Sequence, residues 1–139
     1  MSSLPDMLRA WLDGSIDPPP IVQLLNIRLV SCEQGTSRAE MQVGREHHNP
    51  MGIVHGGIFC DLADVAMGTA VASLLAEDET FTTTDMGAHY FLPIREGLLS
   101  AEARVVRKGK TTAFVECDIL DGEKWLAARL HSTCLIRTS

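Results

Sequence analysis

Aromatic residues, basic residues and long apolar runs are all scarce in this sequence. Of its 139 residues 5% are aromatic, and 12 Lys and Arg stand against 18 Asp and Glu, for a formal net charge of -6. Proteins that bind nucleic acid use an excess of Lys and Arg to neutralise phosphates, so this balance disfavours nucleic acid as a partner. Asp, Gly or Arg interrupts the apolar stretches well before the roughly 18 residues that a membrane-spanning helix needs. We therefore expect a soluble protein with no membrane partner.

Disulfide and metal-binding patterns are also missing from the sequence. The four cysteines show no CxxC spacing and follow no recognisable secretory leader. This favours reduced thiols in a cytoplasmic protein over a disulfide framework. His47, His48 and His55 share no spacing that is typical of a zinc site, so we expect no metal.

The chain length allows one domain, and we predict a single α+β domain over residues 1–139. It begins with a helical cover segment over residues 1–25. The apolar residues of "LPDMLRAWLDGS" share one face of a helix that Gly14 ends. The prolines of "IDPPPIVQLLN" then fix an extended approach to one or two further helical turns. We expect this segment to pack over an apolar surface.

In the rest of the chain, the spacing of apolar residues alternates between the period of two that is typical of strands and the helical period. From Ile27, "IRLVSCEQGTSRAEMQV" predicts a hairpin that turns at residues 33–35. A helix follows Gly57, and because it is apolar around much of its circumference, we expect it to be buried within a sheet. Four strands complete the chain, with turns at 93–97, 108–110 and 121–123. This order suggests an antiparallel sheet that curves around one central helix.

Residues 47–68, "HHNPMGIVHGGIFCDLADVAMG", carry the groups best suited to chemistry. If the helix begins near Gly56, the N–H groups of its first turn lack intrahelical partners and can hold an oxyanion. Asp64 lies about 12 Å further along the helix axis. One helix cannot bring both groups to the same carbonyl, whereas two chains with antiparallel helices around a two-fold axis can. We predict a site that two subunits share.

This segment, together with "TTTDMGAHYFLP" and "VVRKGKTTAFVECDI", resembles the signature of the hotdog-fold acyl-CoA thioesterases of the phenylacetyl-CoA and hydroxybenzoyl-CoA group. The resemblance covers about the last three quarters of the chain. It implies a hotdog fold, in which a curved antiparallel sheet encloses a long central helix. It also implies hydrolysis of an acyl-CoA thioester without metal or organic cofactor, by homodimers that usually pair into a homotetramer.

The resemblance assigns roles to individual residues around the motif. Asp64 matches the catalytic carboxylate, and Gly56 matches the glycine whose N–H polarises the thioester carbonyl. Asn49 matches the asparagine near the reacting water or carbonyl. His55 matches a histidine that supports the site, and Thr83 falls where relatives place a hydroxyl that helps to hold the attacking water. Asp64 could act as a general base on water or as a nucleophile.

The coenzyme A portion of the substrate needs cations for its phosphates, and relatives place its nucleotide at the turn that "RVVRKGKTT" forms here. A local basic cluster on an acidic protein suits an anionic cosubstrate. Arg104 belongs to this cluster, and Lys108 and Lys110 are the leading candidates within it. The predicted substrate-contact residues are Gly57, Arg107, Lys108, Gly109 and Lys110.

Simpler interpretations of the same residues stay open. Asp61 rivals Asp64 as the catalytic acid, and Asn49 before a proline is a common way to open a turn. His55 could serve only the loop that presents Gly56, and the basic turn could be an ordinary solvated hairpin. Two other functions are also compatible with the motif: a hotdog hydratase or dehydratase, and a non-catalytic acyl-CoA-binding protein.

Overall fold

A computed structural model describes residues 3–139 as one antiparallel sheet with a long helix and two short N-terminal helices. Residues 1 and 2, the start of the predicted cover segment, lie outside the described residues. The helices are α1 (Leu4–Asp13), α2 (Pro20–Leu25) and α3 (Gly56–Ala72). The strands are β1 (Arg28–Glu33), β2 (Thr36–Val43), β3 (Glu79–Tyr90), β4 (Gly97–Lys108), β5 (Thr112–Leu120) and β6 (Leu126–Thr138).

The six strands are ordered β1-β2-β4-β5-β6-β3, and all neighbouring pairs are antiparallel. The predicted hairpin of β1 and β2 is confirmed. Its turn residues Gln34 and Gly35 have φ angles of 45° and 84°, the positive values that a two-residue hairpin turn needs.

Strands β3 and β4 follow one another in the chain but are not neighbours in the sheet. The predicted turn over residues 93–97 does separate the two strands in the chain, but it does not connect neighbouring strands of the sheet. The chain passes instead from an edge strand to an inner position between β2 and β5. Strand β3 pairs along its whole length with β6, from Glu79 opposite Thr138 to Tyr90 opposite Ala128. The pairing partner of β3 is therefore the last strand among the described residues.

Helix α3 packs against one face of this sheet. Leu62, Ala63 and Ala66 of the helix are 0% exposed, and its closest strand neighbours are β2, β4 and β5. In β5 the alternate residues from Ala113 to Ile119 are buried, as the period of two predicts. The predicted α+β arrangement of one central helix on an antiparallel sheet is confirmed.

The N-terminal helices lie over α3. Ser3 caps α1 by accepting the N–H of Asp6, and Gly14 ends the helix with a φ angle of 82°. Arg9 forms an ion pair of 3.0 Å with Glu77, which follows α3 in the chain. Leu8 of α1 is buried. None of the helices within residues 3–139 has the length and apolarity needed to cross a lipid bilayer.

Candidate active site

His55 forms the N-cap of α3 and decides which glycine N–H is available. Its backbone is extended, with φ -61° and ψ 138°, and its Nδ1 accepts the N–H of Gly57 at 3.0 Å. A ring nitrogen that accepts carries no proton, so in the neutral ring the proton sits on Nε2. Gly57, predicted as a substrate contact, therefore already uses its N–H within the protein.

The N–H of Gly56 donates to no other residue among those described. It lies in the first turn of a 17-residue helix, where the orphan N–H groups and the helix dipole favour negative charge. Gly56 thus offers a hydrogen-bond donor that is already oriented by the helix. Such a donor stabilises an oxyanion without having to reorganise during the reaction.

Asn49 organises the loop that leads into α3. Its Oδ1 accepts the N–H groups of Met51 at 2.9 Å and Ile53 at 3.3 Å, so the side chain does open a turn. These two bonds identify the amide oxygen, and the Nδ2 group must point the other way. Asn49 can therefore offer a ligand only donors. The turn role and the proposed contact with a carbonyl or a water are compatible with each other.

Tyr90 is a site residue that the sequence does not reveal. It ends β3, and its hydroxyl donates to the carbonyl oxygen of Gly56 at 2.9 Å. A Cβ added to Gly56 would lie 2.9 Å from the same hydroxyl oxygen. The ring packs edge-on against Phe59, with centroids 5.6 Å apart. Tyr90 therefore closes over the first turn of α3, and a glycine at position 56 makes room for it.

Burial raises the pKa of Tyr90 to about 12, with a smaller contribution from Cys60. The Cys60 Sγ lies 3.5 Å from the Tyr90 hydroxyl. At neutral pH the hydroxyl therefore keeps its proton and remains a donor to Gly56. The only hint in the sequence was that Tyr90 is the single tyrosine of the chain.

Asp64 lies in the middle of α3 and accepts no hydrogen bond from the described residues. Its side chain reaches the protomer surface, yet the surrounding protein atoms remove enough water to raise the pKa of its carboxyl group. The negative charge of Asp61 raises that pKa further. The pKa of Asp61 is also raised, by burial alone. A carboxylate with a raised pKa and free lone pairs is a stronger base than an ordinary aspartate.

Thr83 lies in β3, opposite Cys134 of β6. Its hydroxyl is 3.8 Å from the Sγ of Cys134. Burial raises the pKa of the Cys134 thiol, and the nearby charge of Asp64 is one of the further causes that raise it. Thr83 therefore contacts a thiol whose pKa also responds to the charge of Asp64.

These positions divide the predicted site into two halves. Asn49, His55 and Gly56 gather at the beginning of α3, whereas Asp64 lies about 12 Å further along the helix axis and Thr83 lies in β3. Each half is formed within one protomer. The structure does not bring the two halves together in a single chain.

The basic turn between β4 and β5 lies at the far end of α3. Lys108 contacts Glu79 at 3.3 Å, and Glu79 in turn accepts the N–H of Ala76 just after the helix. Arg104 pairs with Glu116. Among residues 3–139, Arg107 and Lys110 are the members of the basic cluster that form no ion pair, and both are exposed. Lys108, which was predicted as a leading contact with the coenzyme, already forms an ion pair with Glu79.

The remaining histidines of the motif form hydrogen bonds with backbone groups. His47 Nδ1 accepts the N–H of Gly44 at 3.0 Å, and a ring nitrogen of His48 bonds to the carbonyl of Arg95 at 2.6 Å. In the part of the chain that the structure describes, no group of three or more His, Cys, Asp or Glu is arranged around a possible metal ion.

The Thioesterase superfamily matches residues 51–128, which is more than half of the chain, and the chain belongs to this superfamily. It is a thioester-hydrolysing enzyme, as the motif predicts. Acyl-coenzyme A thioesterase 13 from Pongo abelii is 33% identical over 121 residues, which cover 86% of each chain. The 1,4-dihydroxy-2-naphthoyl-CoA hydrolase of Listeria monocytogenes is 29% identical over 115 residues, covering 83% of this chain and 94% of its own.

Solved structures with the same architecture confirm the hotdog fold. A phenylacetic acid degradation-related protein from Ralstonia eutropha aligns with a TM-score of 0.85 and 22% identity, over 92% of this chain and 98% of its own. A thioesterase from Haemophilus influenzae aligns with a TM-score of 0.83 and 22% identity, over 99% of this chain and 92% of its own.

Proposed function

We propose that this protein is an acyl-CoA thioesterase that acts as a homodimer with two shared active sites. The observation that carries the proposal is that α3 holds both a helix-terminal donor, the N–H of Gly56, and a carboxylate of raised pKa, Asp64, neither of which has a hydrogen-bond partner among the described residues. Relatives named as acyl-CoA hydrolases support coenzyme A as the thiol portion of the substrate.

In the proposed mechanism the thioester carbonyl oxygen accepts the N–H of Gly56 of one subunit. Asp64 of the other subunit takes a proton from water while the water oxygen bonds to the carbonyl carbon. The oxyanion is held by the Gly56 N–H and collapses with release of the coenzyme A thiolate, which leaves a carboxylic acid. Thr83 orients the water, and the Nδ2 group of Asn49 donates to it or to the oxyanion. We prefer this general-base route to direct attack by Asp64.

Two features of the protomer support a dimer with antiparallel α3 helices. First, Gly56 and Asp64 lie about 12 Å apart along one helix, so neither protomer can complete a site alone. Second, the outer edge of β3 is free among the described residues, and exposed apolar side chains lie near the beginning of α3. Met51 is 74% exposed and Phe91 is 54% exposed. Apolar surface beside an open sheet edge is typical of a subunit interface.

The same arrangement gives the basic turn a role in binding coenzyme A. Helix α3 is about 25 Å long, so in an antiparallel pair the Lys110 turn of one subunit extends beyond Gly56 of the other. Arg107 and Lys110 have exposed charges without ion-pair partners and would meet the phosphates there. Lys108 would join them only by leaving Glu79. The pairing of dimers into a homotetramer stays a prediction.

Subunit complementation tests the shared site directly. Asp64→Asn removes the base, and Gly56→Pro removes the N–H donor at a position where proline suits the first turn of a helix. The extended backbone of His55 also suits a following proline. We expect each variant alone to be nearly inactive and an equal mixture of exchanged subunits to recover about a quarter of the wild-type activity, because half of the dimers are mixed and each has one intact site.

The control is a tagged pull-down that measures how many mixed dimers have formed. Mixed dimers without recovered acyl-CoA hydrolysis would contradict the shared site. Hydration of an enoyl-CoA should be assayed beside hydrolysis, because dominant hydration would favour the hydratase alternative.

A further inference from the structure

A cavity of about 560 Å³ lies between the N-terminal segment and α3. One wall consists of Met7, Leu8 and Trp11 of α1 with the proline-containing segment 16–22. The opposite wall consists of α3 residues from 64 to 72, together with Phe81 of β3. Its volume falls within the range of about 300–1,000 Å³ that small-molecule pockets occupy.

Asp64 is part of the wall of this cavity. The carboxyl group that faces the substrate in the proposed mechanism therefore also borders an apolar space within its own subunit. A water activated by Asp64 attacks the carbonyl carbon, so one substituent of that carbon must lie close to Asp64. The cavity is lined mainly by apolar side chains, so it suits the acyl substituent and not the phosphate-bearing coenzyme.

The chemistry of the walls indicates what kind of acyl group fits. The walls are almost entirely hydrocarbon, and the hydroxyl of Thr69 is already bonded to the carbonyls of Val65 and Ala66. Among residues 3–139, the charged side chains that line the cavity are two carboxylates, Asp17 and Asp64, and none is a cation. A hydrocarbon tail gains from burial here, whereas a carboxylate at the end of the tail would meet like charge and find no partner.

We propose that this cavity binds the acyl group of the substrate and selects unsubstituted hydrocarbon acyl groups longer than acetyl. The inference depends on the proposed thioesterase function and adds the substrate class to it. Most of the lining residues precede residue 51, where the superfamily match begins. The N-terminal segment is therefore the part of the chain that sets the preference. Its helix α1 is tied to the end of α3 by contacts of Ser3, at 2.5 Å, and Arg9, at 3.0 Å, with Glu77.

The test is a series of straight-chain acyl-CoA substrates from acetyl to octanoyl, with hexanedioyl-CoA as the charged counterpart of hexanoyl-CoA. We expect kcat/KM to rise about fourfold for each added methylene until the cavity is full. We expect hexanedioyl-CoA to be hydrolysed at least about tenfold more slowly than hexanoyl-CoA. Acetyl-CoA is the reference within each variant, because its methyl group scarcely enters the cavity.

Two residues of α1 provide a matched pair of variants. Met7 lines the cavity and is 47% exposed, whereas Leu12 is 40% exposed and does not line it. We expect Met7→Ala to reduce the increase in kcat/KM per added methylene, and we expect Leu12→Ala to leave this increase unchanged. Gly68→Leu is a second variant that fills the cavity from α3 and should abolish the gain beyond butanoyl-CoA. This variant tests the assignment even if Met7→Ala disturbs the folding of α1.

The outcomes separate this inference from the proposed function. Hydrolysis that does not depend on chain length, or equal effects of Met7→Ala and Leu12→Ala, would overturn the acyl-group assignment and leave the thioesterase proposal standing. Hydrolysis of phenylacetyl-CoA or hydroxybenzoyl-CoA without hydrolysis of any straight-chain member would likewise overturn only the acyl-group assignment. Failure of the wild-type enzyme to hydrolyse both the straight-chain and the aromatic acyl-CoA esters would overturn the proposed function itself.

Discussion

The beginning of α3 and its middle differ in how completely their polar groups are paired. At the beginning, His55 caps Gly57, Asn49 holds its own loop and Tyr90 holds the carbonyl of Gly56, which leaves one N–H free. In the middle, the carboxylate of Asp64 accepts no hydrogen bond from the described residues and lies beside apolar walls. In the proposed mechanism the first region stabilises charge with a donor that other hydrogen bonds orient. The second region supplies the base, a carboxylate without a partner among the described residues.

This difference indicates why the two functions are separated along the helix. A donor works best when other hydrogen bonds fix its direction before the substrate arrives. A base works best when no donor stabilises its charged form, because such a bond would lower its pKa. Placing both in one polar cluster would pair them with each other, and a dimer can bring them together only around the substrate.

The largest effect should come from removing the unpaired base. We expect Asp64→Asn to lower kcat by about 10²- to 10⁴-fold without loss of folding or oligomerisation, and Asp61→Asn to retain activity. Acyl-CoA hydrolysis by both purified variants, with circular dichroism and size-exclusion chromatography, checks this. An active Asp64→Asn enzyme with an inactive Asp61→Asn enzyme would show that the neighbouring carboxylate is the base.

The pH dependence of the wild-type enzyme and of Asp61→Asn sharpens the test. A base must be deprotonated, and burial and the charge of Asp61 both raise the pKa of Asp64 above its ordinary value of 3.8. Wild-type activity should therefore decline on acidification at a higher pH than for an ordinary aspartate. In Asp61→Asn the decline should move to lower pH, because one cause of the raised pKa is gone. A decline at the same pH in both enzymes would mean that another group titrates.

Removing the free donor at the beginning of α3 should have the next largest effect. We expect Gly56→Pro to lower kcat by about 10²- to 10³-fold, the usual loss for one oxyanion donor. Gly56→Ala is its control, because its Cβ meets the Tyr90 hydroxyl equally but its N–H remains. Steady-state kinetics should show a much smaller loss for alanine. Equal losses would assign the effect to crowding at Tyr90.

The smallest effect should come from Tyr90→Phe, which removes a hydroxyl but keeps the ring contact with Phe59. We expect the free energy of unfolding to fall by about 1 kcal/mol, the net value of one hydrogen bond, with a modest loss in kcat and little change in KM. Denaturant unfolding and kinetics measure both. Unchanged stability and kinetics would remove Tyr90 from the site.

The raised pKa of Tyr90 gives this variant a second readout. The folded state holds the phenolic proton more tightly than the unfolded state, so the contribution of Tyr90 to stability is complete below pH 10. It is lost as the pH rises from 10 to about 12. The phenylalanine variant should lack this dependence. Since the chain has one tyrosine, its ionisation can also be followed directly by ultraviolet absorbance.

Features that depend on neighbours in the chain were determined by the sequence alone. The helical period of α1 and α3, the hairpin turn at Gln34 and Gly35 and the alternation in β5 follow from local backbone geometry and side-chain direction. The spacing of Gly56 and Asp64 is equally local, since 1.5 Å per residue sets their separation in any helix. The motif therefore indicated two half-sites before any fold was known.

Only the tertiary structure decided which groups within those half-sites are free. Tyr90 reaches Gly56 from 34 residues away, Glu79 engages Lys108 across two strands, and β3 pairs with β6 instead of β4. Each of these contacts depends on how distant segments pack and pair, which neither spacing nor period encodes. The sequence determined which chemical groups the protein has, and the packing of distant segments decided which of them can meet a substrate.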